Sequence, residues 1–274
     1  MGGGPTSKVR GAGAGDGDGD GDAAAGPKSK KSRLDVLLVD RGLAESRTRA
    51  QALLLAGKVF GGGQRLDKPG HLVAADIPLE VRGASHPWAS RGGIKLAHGL
   101  DHFAIRAEGA VALDIGASTG GFTDVLLARG AKRVYAVDVG RGQLAWKLRN
   151  DPRVIVCEGV NARNLSAKEI ADAPDLIVCD TSFIGLEVVL PAPLALAAPG
   201  ARLIALIKPQ FEVGKGRVGK GGIVSDPRLH EEVCGRIHDW LQARPGWEVQ
   251  GICPSPITGR DGNREFLIAA GLAG

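Results

Sequence analysis

Residues 111–124 read VALDIGASTGGFTD, and this stretch decides the fold. VALDI is a short apolar run of the kind that forms a buried strand. GASTGG is built from small residues that let the backbone approach a ligand, and FTD opens a helical pattern. A strand, a small-residue turn and a helix, in that order, aim the amides of a helix N-terminus at whatever binds outside the strand end.

Working outward, the alternation continues. The runs RVYAVDV, VIVCEG, DLIVCD, RLIALIK, WEVQGIC and REFLIAA follow VALDIG, with helical stretches between the first five. Alternation predicts a parallel sheet with helices on both faces. WEVQGIC and REFLIAA are joined by PSPITGRDGN, too short for a crossover helix, so they are expected to pair antiparallel at one edge. Five parallel strands with such a closing pair form the Rossmann-like, seven-stranded α/β arrangement of adenosylmethionine-dependent methyltransferases.

The loop also bears on the ligand. Aligned as GxGxxG from Gly116, the second glycine position holds Ser118, where a dinucleotide pyrophosphate needs glycine. Asp114 suits an ammonium group, and Asp138, closing the second strand, could accept from ribose hydroxyls. S-adenosyl-L-methionine, which has an ammonium and no phosphate, is the expected cofactor. A dinucleotide or a purely structural turn is the alternative.

Four charged residues then fall at one end of the sheet. Asp180 closes DLIVCD, Lys208 closes LIALIK, Glu265 opens REFLIAA, and Lys95 starts a helix ahead of the first strand. Ligands bind outside the carboxyl ends of such strands. Two lysines and two carboxylates there suggest proton abstraction from a hydroxyl, with a buried ion-pair network as the structural alternative. Asp180–Phe183 reads DTSF, without the prolines of the turn used on exocyclic amines. Carbon-5 methylation of cytosine needs a cysteine nucleophile, and Cys179 lies inside the strand facing the core. A ribose 2′-hydroxyl fits better, because a lysine desolvated beside another cation can take its proton. Lys208 is the expected base, Asp180 its orienter, and Lys95 and Glu265 the groups that hold the ribose.

GKGRVGKG at 214–221 nearly spells a phosphate loop, but position 221 is Gly where a hydroxyl would hold magnesium. It reads instead as a mobile basic lid whose Lys215, Arg217 and Lys220 touch RNA phosphates, or as a solvated loop.

The 274 residues carry a net charge of +5, a mild bias toward a polyanionic partner. The four cysteines (Cys157, Cys179, Cys234, Cys253) show no metal spacing. His98 and His102 stand four apart without an HExxH pattern, so no metal is expected. Residues 1–32, rich in Gly and Asp, are expected to be a disordered tail with no secretory signal. No uninterrupted apolar stretch would span a membrane, so a cytoplasmic protein is expected. Between residues 33 and 82 lie two short helical patterns and several short β segments. Eight basic and six acidic residues there leave charge alone a weak guide.

Two resemblances complete the reading. Residues 33–81, with two helices, a GxV and a turn ending in KPG, resemble the ribosomal-protein-S-four-like (αL) RNA-binding domain, a small α+β unit. The resemblance implies that Arg33, Arg41, Arg47 and Arg49 meet RNA phosphates. The hairpin at 60–66, reading FGGGQRL, departs from the usual pattern and is expected to be looser. SRGGIKL, DIGASTGGFTD, VYAVDVG, NAR, CDTSFI, IKPQFE and GNREFL, in that order behind such a domain, resemble the TlyA (haemolysin A) family of ribosomal RNA 2′-O-methyltransferases. That implies catalytic roles for Lys95, Asp180, Lys208 and Glu265. It implies cofactor contacts from Gly116, Ser118, Gly120, Phe122 and Asp138, with Asn161 and Asp180 nearby, and adds Arg91 to the RNA-facing set. Members methylate a cytidine ribose in ribosomal RNA within one or both subunits. The implied division is a tail (1–32), the RNA-binding domain (33–82), a linker (83–89) and an FtsJ-like methyltransferase domain (90–274). A non-catalytic assembly factor and a membrane-active haemolysin remain as alternatives.

Overall fold

The computed structural model describes residues 1–2, 31–44, 46–82, 86–214, 216–259 and 261–274. The first unit contains β1 (Lys31–Arg33), α1 (Leu34–Asp40), α2 (Arg47–Leu55), β2 (Val59–Gly61), β3 (Gln64–Leu66), β4 (Leu72–Ala74) and β5 (Leu79–Val81). Ser46 caps α2 by accepting from the Arg49 amide at 3.2 Å. The two helices bury Leu34, Leu38, Ala50 and Leu54 against Val59.

Two expectations for this unit are corrected. Lys31 and Ser32, assigned to the tail, belong to β1 and pair with Ala74 and Val73. The hairpin expected to be loose is regular. Gly61 pairs with Gln64, and both turn residues, Gly62 and Gly63, have positive φ, which suits the twist of a two-residue hairpin. Arg82 lies 3.7 Å from the ring centre of Phe60 and covers that strand.

The larger unit holds one seven-stranded sheet. Its strands are β6 (Val111–Ile115), β7 (Arg133–Asp138), β8 (Val154–Glu158), β9 (Leu176–Cys179), β10 (Arg202–Ile207), β11 (Trp247–Pro254) and β12 (Phe266–Leu272). Their order is β11-β12-β10-β9-β6-β7-β8, parallel except for β12, which runs antiparallel to both neighbours. The sequence expectation of an antiparallel closing pair is met. Each strand alternates between two buried layers. Ala112, Val134, Val178, Ile204 and Leu267 face α3 (Gly92–His102) and α4 (Gly121–Ala128). Leu113, Tyr135, Ile177, Leu203 and Ile268 face α6 (Leu186–Val189), α7 (Pro191–Ala195) and α9 (Pro227–Gln242), the last preceded in the chain by the single turn α8 (Pro209–Glu212).

Helices between the first five strands are only partly realised. α5 (Trp146–Arg149) is a single turn, and β8 leads to β9 through a 3₁₀ turn at Ala162–Asn164. Asn161 and Ser166 bind nearby backbone amides there (to Arg163 at 3.1 Å and Lys168 at 3.3 Å), which favours turns over a continuous helix.

Strand order reverses at β6, between β7 and β9. This switch point places a crevice at the ends of β6 and β9.

Candidate active site

The register of the sheet assembles the charged residues. Cys179 pairs with both Ile115 and Ala205, so Gly116 and Asp180 emerge side by side. Ile207 pairs with Phe266, which sets Lys208 beside Glu265. Lys95 comes from the first turns of α3. Trp88 fixes the start of that helix: a Cβ on Gly93 would meet Trp88 at 2.4 Å. The Ala89 amide donates to Asp124 of α4 at 2.7 Å. Trp88 therefore packs against the core, while Gly83, Ala84 and Ser85 of the expected linker lie outside the described residues.

The four groups form two ion pairs. Lys208 Nζ stands 2.5 Å from Asp180 Oδ1 and donates to Ser182 Oγ at 3.2 Å. Lys95 Nζ donates to Glu265 Oε2 at 2.5 Å. Lys95, Lys208 and Glu265 are at most 8% exposed. Charges so deep must be paired to be tolerated. Asp180 Oδ1 is close to the ammonium, yet no donor meets this buried atom at hydrogen-bonding angles.

A cleft of about 290 Å³ opens above these groups, lined by Ser90, Gly116, Ser118, Phe122, Asp180 and Lys208, with Arg91, Ile257 and Thr258 at its rim. A second depression, about 230 Å³, adjoins it and is lined by Glu265 together with the same Ile257 and Thr258.

The cofactor residues expected from sequence divide. Gly116, Ser118, Phe122 and Asp180 line the cleft; Asp114, Gly120, Asp138 and Asn161 are not among its lining residues. At Gly116, φ is +80° and a Cβ would come within 2.6 Å of the Asp180 carbonyl oxygen, so only glycine fits. Gly120 has a packing role, since a Cβ there would strike Leu148. Asp138 accepts from the Ser118 amide at 2.8 Å and the Gly140 amide at 2.7 Å, which ties β7 to the loop after β6. Asn161 caps the following turn.

Asp114 carries the strongest electrostatic signal. Its carboxyl is fully buried, accepts from Thr123 Oγ1 at 2.6 Å and leaves Oδ1 without a partner. Burial pushes its pKa up to about 7 against the opposing Thr123 bond, and the charges of Asp180 and Asp138 push the same way. Three carboxylates thus converge beside the cleft. Such a field favours a cation, and S-adenosyl-L-methionine carries two positive centres and one negative. The residues fit that group.

Cys179 is fully buried, and burial pushes its thiol up to about 12. A thiol so held is a poor nucleophile.

The basic residues expected to meet RNA also divide. Arg33 and Arg47 bind the buried Asp35 at 3.0 and 3.1 Å while keeping about half of their side chains exposed. Together with Gln51 they hold that carboxyl far below its usual range. Arg49 lies exposed on α2. Arg41 is a correction: its guanidinium donates to the carbonyl oxygens of Ala75 and Ile77 and braces α1 on the β segments. Arg91 donates to the Thr258 carbonyl at 3.2 Å on the rim of the cleft. The stretch expected to be a free lid is tied down. Arg217 makes a two-pronged pair with Glu232 of α9 at 2.5 Å, and Asn263 holds the Val224 amide and the Gly222 carbonyl at 2.9 Å each. Lys220 is exposed, and Lys215 lies outside the described residues.

Sequence reasoning missed Ser182 and Phe183. Phe183 is 90% exposed, has φ +66° and leans on Phe211 with ring centres 5.0 Å apart. A bulky residue held exposed in left-handed backbone next to a reactive cluster points to a contact surface. Its position inside CDTSFI, directly after the strand-end Asp180, was the available signal.

Comparison with known proteins agrees with this geometry. Residues 88–272 match the FtsJ-like methyltransferase family and residues 32–76 the S4 domain. The chain is 48% identical over 241 residues to the 16S/23S rRNA (cytidine-2′-O)-methyltransferase TlyA of Mycobacterium tuberculosis, covering 88% of this chain and 90% of that one. It is 32% identical over 250 residues to the 23S rRNA (cytidine-2′-O)-methyltransferase TlyA of Campylobacter jejuni, covering 84% and 94%. A solved structure from Streptococcus thermophilus superposes with a TM-score of 0.70 at 41% identity, and the match covers 89% of each chain. No helix among the described residues is long and apolar enough to cross a membrane.

Proposed function

Since this chain belongs to the TlyA family of FtsJ-like methyltransferases, with an S4 domain ahead of the catalytic one, we propose that it methylates the ribose 2′-hydroxyl of a cytidine in ribosomal RNA. The observation that carries the reading is the pair of buried ion pairs beneath the cleft, Lys208–Asp180 and Lys95–Glu265. When bound, S-adenosyl-L-methionine supplies an electrophilic methyl group. Gly116 and Ser118 give it backbone room, Phe122 walls the cleft, and Asp114, Asp138 and Asp180 supply the negative field.

The protein's own residues handle the hydroxyl. The exposed part of the Asp180 carboxylate accepts from it and fixes its direction toward the methyl carbon. Lys208, having first lost its own proton to solvent, takes the hydroxyl proton as the oxygen–carbon bond forms. Lys95, held by Glu265, donates to the oxygen as negative charge develops. Phe183 offers a face on which a base of the target strand stacks. Arg33, Arg47 and Arg49 on the S4 domain, with Arg91 and Lys220 on the catalytic one, contact phosphates and set register. The substrate is RNA within ribosomal subunits, which places the protein in the cytoplasm.

The test is transfer of labelled methyl groups to purified 30S and 50S subunits. Incorporation into either, abolished by Lys208→Ala with cofactor binding retained, is the expected result. No incorporation into either subunit with cofactor bound would favour a non-catalytic assembly role.

A further inference from the structure

The fold brings Cys253 beside two histidines, His98 and His102, that lie far from it in sequence. His98 and His102 stand one helical turn apart on α3, with ring centres separated by 5.7 Å. Cys253 lies on the edge strand β11, 155 residues from His98, with its sulfur 4.0 Å from His98 Nε2. One ligand atom from each of the three falls within 4.8 Å of the others. We propose that His98, His102 and Cys253 form a binding site for a zinc-class divalent cation.

The geometry and the donor chemistry agree. Zinc bonds of about 2.0–2.1 Å to nitrogen and 2.3 Å to sulfur set tetrahedral ligands about 3.5 Å apart. Closing from the observed spacing needs shifts of about 1 Å, within reach of side-chain rotation, since His102 is exposed and His98 partly so. Two imidazoles and a thiolate select a borderline or soft ion over magnesium or calcium. Three protein ligands leave a fourth position for water at the exposed side.

The location gives the ion a purpose. Lys95, His98 and His102 follow one face of α3 at helical spacing. β11 pairs with β12, and the connection between them ends at Glu265. An ion at this site ties the helix bearing Lys95 to the hairpin bearing Glu265, and so acts as a positioning clamp rather than as a catalytic metal.

Cobalt(II) titration of the full chain tests the site, with no RNA or cofactor in the cell, so its result stands apart from the methyl-transfer reading. The expected result is one cobalt per chain, a thiolate-to-metal charge-transfer band, displacement by zinc, and loss of the band in Cys253→Ser and in the surface variant His102→Asn. Zinc at a hundredfold excess over its Kd should raise Tm by about 5–10 °C in wild type and not in His102→Asn. Absence of the band in wild type, its survival in Cys253→Ser, or an equal Tm shift in His102→Asn would each overturn the proposal.

Discussion

Asp114 links cofactor binding to pH. Its carboxyl is held at about 7 in the cofactor-free protein, mainly by burial. A cation in the cleft interacts best with the ionised form, so binding expels the proton. If only the carboxylate form binds, the apparent Kd is multiplied by 1 + 10^(7−pH), about elevenfold at pH 6 and about 1.1-fold at pH 8. Affinity should therefore fall about tenfold between pH 8 and pH 6. It should also fall above about pH 8, where an α-amino group loses its charge, giving a bell. Stability of the cofactor-free fold runs the other way. The native carboxyl keeps its proton where the unfolded one has lost it. This group's contribution is therefore fully present below about pH 4 and is lost as pH rises through about 7. Calorimetric titration with S-adenosyl-L-methionine from pH 6 to 9, in buffers of different ionisation enthalpy, reads both affinity and proton release. Asp114→Asn should abolish the acid limb and the proton release. A wild-type affinity that stays flat between pH 6 and 7.5, or an unchanged acid limb in Asp114→Asn, would refute the linkage.

Other expectations follow from single contacts. Arg47→Ala should weaken binding to ribosomal RNA and lower the slope of log K against log salt by about 1; an unaltered slope would remove α2 from the RNA surface. Its stability cost should be small, because Arg33 and Gln51 still bind Asp35. Phe183→Ala should cut methyl transfer about 5- to 150-fold, the equivalent of about 1–3 kcal/mol of base stacking, with cofactor affinity unchanged; full activity would rule out stacking. Cys179→Ala should keep its activity while losing about 1 kcal/mol of stability in denaturant titration, whereas inactivity in a folded variant would reopen a cysteine-based mechanism.

The fold was legible because apolar runs of strand length recur and PSPITGRDGN is too short to hide a crossover. Asp180, Lys208 and Glu265 could be found since each adjoins a strand at the same end of the sheet. What escaped depends on contacts between distant segments. β1 exists because Val73 and Ala74 supply its partner strand. Arg41 and Arg49 read alike as basic residues flanking an apolar stripe, and only the position of the Ala75 and Ile77 carbonyls takes Arg41 off the surface. The lid reading failed because Glu232 and Asn263, far along the chain, hold that loop. Ser182 and Phe183 sit in a turn whose path no periodicity encodes.

The central claim is that the methyl group goes to a ribose oxygen with Lys208 as base. Alkaline hydrolysis of ribosomal RNA labelled by the enzyme tests it directly, because a 2′-O-methyl group protects the adjacent phosphodiester. Label in alkali-resistant dinucleotides that begin with cytidine, absent from RNA treated with Lys208→Ala, is the predicted result. Label released in mononucleotides would place the methyl group on a base, and equal labelling by Lys208→Ala would exclude that lysine as the base.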